Sequence, residues 1–138
     1  MEKIKLSRYA YDRFLEDLSN LRKDLGKVKS LAWENPEEHR EEIDRLSLKI
    51  FKMETLESKF QVIPVNDGEK TLQIGYSVRL AISGQIRERV LDGYAYNKRV
   101  CLVDSPIGKE IINQPQGYMC GHVKILTFFI QKEELVNV

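Results

Sequence analysis

The first 63 residues carry an apolar seam of helical period, a break at Pro36, and a second seam that runs back from it. Tyr11, Phe14, Leu18, Leu21, Leu25, Val28 and Ala32 recur three and four residues apart, the repeat that brings one stripe of a helix against a partner. His39, Ile43, Leu46, Ile50, Met53 and Phe60 continue it after the break, with Leu56 one place out of register. Two arms of nearly equal length joined by a short acidic turn predict an antiparallel helical hairpin. Ser7 is placed to cap the first helix, which the pattern extends to Ala32. Asn35 and Pro36 suit the cap and first position of the second, which runs to about Phe60. Gly26 lies inside the first helix, where glycine costs about 1 kcal/mol relative to alanine. Trp33, at the turn, either folds over the end of the hairpin or stands out as a contact anchor. His39, on the seam, reads as a packed position rather than a ligand.

Beyond Pro64 the period changes from 3.6 to 2. Leu72, Ile74, Tyr76, Val78, Leu80 and Ile82 alternate with mostly polar residues, the mark of a half-buried strand. Ser83-Gly84 is a turn, residues 85–91 a return strand, and Arg99 to Val103 a third, fully buried strand. Ser105 and Pro106 cap a short helix through about Asn113, and a last strand from Val123 to Gln131 closes the sheet. The expected class is therefore α+β, a coiled-coil hairpin over 1–63 followed by an antiparallel β domain with one short helix over 64–138.

Charge narrows the function classes. The chain holds 22 basic and 21 acidic residues, and the two signs also balance on each side of residue 63. Nonspecific nucleic-acid binding needs a basic excess to displace counterions, so it is not the expected main activity. Cys101 and Cys120 have no CxxC spacing and read as two reduced cysteines. No leader pattern and no apolar run near 18 residues is present, so a cytoplasmic chain without a membrane span is expected.

Three stretches carry a resemblance to the Gre transcript-cleavage factor family, bacterial proteins that bind RNA polymerase. Leu6-Ser7 with Phe14, Leu18 and Leu21 is similar to the family's Leu-Thr start and leucine spacing. Val103-Asp104-Ser105-Pro106-Ile107-Gly108-Lys109 resembles the Ser-Pro-Leu/Ile-Gly-Lys segment of the family's FKBP-like C-terminal domain. Glu34-Asn35-Pro36-Glu37-Glu38-His39 resembles its tip, Asp-Leu-Ser-Glu-Asn-Ala-Glu-Tyr-His.

The resemblance covers essentially the whole chain. It implies a hairpin that enters the polymerase's secondary channel and a sheet domain that docks outside it. In the family, the tip Asp and Glu help hold a magnesium ion at the polymerase's own active centre, which then hydrolyses a backtracked transcript. Two departures stand out. Glu34 matches the tip Glu, but Leu31 stands where the family has its Asp. The first arm is also shorter than in typical Gre factors by roughly two to three turns of ~5.4 Å. Rnk-type proteins and anti-Gre inhibitors keep the architecture without cleavage.

The expected function is thus a Gre-like regulator that binds bacterial RNA polymerase and modulates elongation with weak or no cleavage. It would be a monomer, not an enzyme, with no cofactor of its own beyond a magnesium shared with the polymerase. Its contact with nucleic acid would be indirect, within the transcription complex. One rival is a true cleavage stimulator using Glu34 and neighbouring acids. Another is an FKBP-like peptidyl-prolyl isomerase, which shares only architecture, and fold does not carry function.

Each candidate residue has two readings. Glu34, Glu37 and Glu38 are either a solvated helix start matched to its dipole or a tip that meets the polymerase. Arg22, Lys23, Lys27 and Lys29 are either a solvated face or pair with acids of the opposite arm, or else they face RNA phosphates. Ser105, Pro106 and Gly108 either form a plain cap or cradle an anion. The resemblance adds Ile107 and Lys109, so that 105–109 becomes a docking segment for the polymerase.

Overall fold

The computed structural model describes residues 3–130. The elements run β1 (Ile4–Ser7), α1 (Arg8–Leu31), α2 (Pro36–Glu57), β2 (Phe60–Ile63), β3 (Tyr76–Ile82), β4 (Gln85–Asp92), β5 (Val100–Leu102), α3 (Pro106–Ile111), β6 (Met119–Cys120) and β7 (Val123–Ile130). The α+β class read from the two periodicities is the observed one.

One compact unit, Asp12–Phe60, is the hairpin. Its arms are antiparallel: Arg22 on α1 meets Glu54 on α2 at 3.0 Å, and the Phe14 and Phe60 rings stack edge to face at 4.8 Å. At the other end Lys29 and Ala32 line one groove with Pro36 and Ile43. Every expected seam residue is at least half-buried, but burial is graded. Phe14, Leu18, Leu46 and Ile50 are fully buried, whereas Leu21, Leu25, Val28, His39 and Ile43 are only half covered. Two helices shield each other on one side only, so a two-helix seam cannot be dry along its whole length. The second helix also stops at Glu57, and Phe60 belongs to β2 rather than to the helical repeat.

Gly26 sits in α1 with open space where a Cβ would be, so nothing in the packing requires glycine. Gly26→Ala should therefore raise the hairpin's stability by about 0.5–1 kcal/mol, by restricting the unfolded chain. A thermal melt that shows no gain would mean that the helix is distorted there.

The second unit comprises Ile4–Tyr11 together with the chain from Gln61 onward. The single expected boundary at residue 63 misses this: the first strand and the first turn of α1 belong with the sheet. Two sheets are present, β1-β2 and a five-stranded β5-β4-β3-β7-β6. β3 and β4 form a tight hairpin in which Ile82 faces Gln85 across Ser83 and Gly84, both at positive φ (48° and 81°). That geometry matches the strands' right-handed twist and accounts for the turn read from Ser83-Gly84.

Three strand expectations are corrected. The regular strand starts at Tyr76, although Leu72 and Ile74 are buried as the alternation required. The β5 strand is short and partly exposed rather than fully buried, and it pairs with β4 in parallel, so the sheet is mixed. Short links ordinarily join antiparallel neighbours. Here residues 93–99 carry the chain back, with Tyr96 packed edge to face on Tyr9 at 5.0 Å. Third, β7 lies inside the sheet between β3 and β6 and does not close its edge; Gln131, its expected last residue, falls outside the described residues.

The core of this unit is Leu72, Tyr76, Val78, Leu80, Leu91, Ile111 and Ile125, with Cys101, Ile107 and Phe128 packed against it. Cys101 and Cys120 are both free thiols. Burial pushes the Cys101 thiol up, and a hydrogen bond from Cys120 to the Glu110 carboxylate at 2.7 Å pushes Cys120 up. Among the described residues no helix is long and apolar enough to cross a membrane.

Candidate functional site: the hairpin tip

The turn between the arms is built by the sequence Leu31-Ala32-Trp33-Glu34-Asn35-Pro36. The last turn of α1 is closed by Ala32 and Trp33, whose N–H groups donate to the carbonyls of Val28 and Ser30. Pro36 then starts α2, where a missing N–H costs nothing and φ is already helical. Asn35 occupies the cap position, but its side chain makes no capping bond. Glu37 and Glu38 in the first turn instead answer the positive end of the helix dipole.

All three tip acids, Glu34, Glu37 and Glu38, are exposed. At 3.6 residues per turn, Glu37 and Glu41 fall on the side of α2 opposite the seam, and Glu38 and Glu42 on one flank of it. Glu42 is paired with Arg45 at 3.3 Å, and Glu34, Glu37, Glu38 and Glu41 make no ion pair among the described residues. Among those residues no three His, Cys, Asp or Glu side chains are grouped so as to hold a metal ion. Trp33 does not fold over the hairpin end; it is 88% exposed, and Leu31 beside it is 61% exposed. His39 is half-buried, in line with its seam position.

The four basic residues on α1 do not form one surface. Arg22 is drawn to the shoulder of the seam by Glu54, as the pairing alternative required. Lys29 lies on the same side and lines the tip groove. Lys23 and Lys27 project about 100–140° round the helix from Arg22, and both are exposed.

Residues 105–109 are placed mainly by the fold. The Ser105 hydroxyl accepts from the Gly108 N–H at 3.0 Å and donates to the Leu102 carbonyl at 2.6 Å, which caps α3. Gly108 is buried, and a Cβ there would stand 2.0 Å from the Leu102 carbonyl oxygen. Ile107 packs on the core, so only Pro106 and Lys109 face outward. The best-matched motif of the sequence is thus a device for laying α3 against β5. Gly108→Ala should destabilise the unit by about 1–3 kcal/mol, as overpacking does, whereas Lys109→Ala should leave a urea melt unchanged. Equal melts for both would remove the close approach.

One buried group was not foreseen. Asp92, at the end of β4, is 1% exposed. One oxygen accepts from the Ser7 and Gly93 N–H groups at 2.8 and 2.9 Å, and the other from the Ser7 hydroxyl at 2.5 Å. The same hydroxyl accepts from the Ala10 N–H at 3.1 Å, so Ser7 is the expected cap and an anchor at once. Burial raises the Asp92 carboxyl above its ordinary range, opposed by these hydrogen bonds. On the sheet surface Glu88 bridges Arg79 at 2.7 Å and Arg99 at 3.6 Å, and Arg79 lowers its carboxyl. Neither acid carries a local sequence signal, because Ser7, Arg79 and Arg99 lie elsewhere along the chain.

No family model and no curated protein matches the chain. Three solved structures align along nearly the whole of it. The GreA factor homolog 1 (Gfh1) protein of Thermus thermophilus is 16% identical, with 92% of this chain and 99% of that one covered and a TM-score of 0.42. A structure of the transcription factor Gfh1 is 18% identical over 93% and 99%, at 0.42. Thermus aquaticus Gfh1 is 17% identical over 94% and 99%, at 0.45. Values this low decide neither family nor function.

Proposed function

We propose that this chain is a Gre-like transcription regulator that binds bacterial RNA polymerase at its secondary channel and modulates elongation with little or no transcript cleavage. The observation that carries the reading is an acidic turn, Glu34 with Glu37 and Glu38, exposed at the end of an antiparallel hairpin. The same chain carries the Ser-Pro-Ile-Gly-Lys segment that resembles the family's C-terminal domain.

The tip fits a magnesium site poorly. A hard, octahedral cation takes oxygen ligands, and Leu31 offers none where the family has its aspartate. Glu34 is the one carboxylate left at a matching position. The chain's own contribution is therefore to occupy the channel rather than to take part in chemistry, and it is not an enzyme.

The test is association of the full chain with core RNA polymerase, followed by competition with an authentic Gre cleavage factor. Binding with displacement of that factor is expected. No association, or simultaneous binding of both factors, would overturn the reading.

A further inference from the structure

The tip presents more than acids, and the hairpin leaves part of its apolar surface uncovered. Trp33, 88% exposed, lines a groove with Lys29, Ala32, Pro36 and Ile43, and Leu31, 61% exposed, precedes it by two residues. Single exposed apolar side chains need no explanation, but a tryptophan continuous with a groove floored by Ala32, Pro36 and Ile43 makes a patch. Tryptophan is also the side chain most often found as the anchor of an interface. Around it the surface is acidic: Glu34, Glu37, Glu38 and Glu41 are exposed without ion pairs among the described residues, and Lys29 and Arg40 are the nearby cations.

We infer that Trp33 is a binding anchor that inserts into an apolar pocket of a protein partner, with lysine and arginine at the pocket's rim. The charge selects this occupant. A nucleic-acid strand would bring phosphates against four carboxylates, whereas a basic rim would answer them and steer the encounter. The assignment deepens the proposed function: it rests on the polymerase as the partner and puts the recognition at the tip in Trp33 rather than in metal-binding carboxylates.

Trp33 is the only tryptophan of the chain, so one residue can report on itself. The full chain, made with 5-hydroxytryptophan, is excited selectively beside the polymerase's own tryptophans and quenched with acrylamide, alone and with core RNA polymerase. Affinities of the wild type and of Trp33→Ala are measured in parallel, with circular dichroism to show that the variant is folded. Quenching should fall several-fold in the complex, and Trp33→Ala should weaken binding about tenfold or more, as loss of an anchor does. Wild-type binding with unchanged quenching and an unaffected Trp33→Ala variant would overturn the anchor while leaving the polymerase reading intact. No binding by either chain would overturn both. Protection of Trp33 by a single-stranded RNA oligomer without polymerase would overturn the protein pocket in favour of a nucleobase.

Discussion

Replacing Asp92 by alanine should cost the sheet unit about 3–5 kcal/mol, because it strands the buried N–H of Ser7 and the partly buried N–H of Gly93 and takes a partner from the Ser7 hydroxyl. Each buried donor left unsatisfied costs about 1–3 kcal/mol, and the cavity adds to that. Asp92→Asn should be far milder, since an amide oxygen accepts from both N–H groups and its NH2 donates to the Ser7 oxygen.

The two variants also separate by pH. Burial raises Asp92 above its ordinary value of 3.8, so the unfolded chain releases this proton first. The contribution of Asp92 to stability is then full below 3.8 and is lost as pH rises through the raised folded value. Glu88 acts in the opposite sense, since Arg79 lowers it from 4.5; its contribution is present above 4.5 and is lost as pH falls. Urea melts at stepped acidic pH check both. Asp92→Asn should remove the segment in which stability falls with rising pH, and a variant curve parallel to the wild type would show that the carboxyl is not desolvated.

What the sequence made legible follows from how far apart the causes lie along the chain. The helices were readable because their determinants are local: three-and-four spacing, Ser7 and Pro36 at the starts, and acids in the first turn of α2. The β3–β4 hairpin was readable for the same reason, through Ser83-Gly84. The parallel pairing of β5 was not, since it is fixed by bonds such as Val103 N–H to the Asp92 carbonyl, between residues that no periodicity links. Asp92 was invisible because an Asp-Gly pair reads as a turn, and its partner Ser7 is 85 residues away. At the candidate site the acids were legible as charge, and the exposure of Trp33 was not. An aromatic beside a turn packs or projects according to whether the hairpin end offers it a surface, and a two-helix end offers little.

Backtracked transcription complexes should yield little or no cleaved RNA when this chain is added, and Glu34→Ala should change nothing further. The expectation rests on two features that act at the same atom. The first is chemical: under the proposed Gre-like reading, Leu31 stands where the resembled tip has an aspartate, so only Glu34 offers a carboxylate to the polymerase's magnesium. The second is geometric. A catalytic ligand misplaced by ~1 Å can cost on the order of 100-fold in rate, and each helical turn absent from the arms moves the tip by ~5.4 Å. These causes can be told apart. If the missing ligand were the whole reason, Leu31→Asp would restore cleavage to a folded, polymerase-bound chain. If the arms are shorter than the resembled factors', as the resemblance implies, it does not, because the restored carboxylate would still fall short of the metal. RNA release from stalled complexes, measured for the wild type, Glu34→Ala and Leu31→Asp, decides the matter. Robust wild-type cleavage that is lost with Glu34→Ala would make the chain a working cleavage factor and would reverse the assignment of its tip.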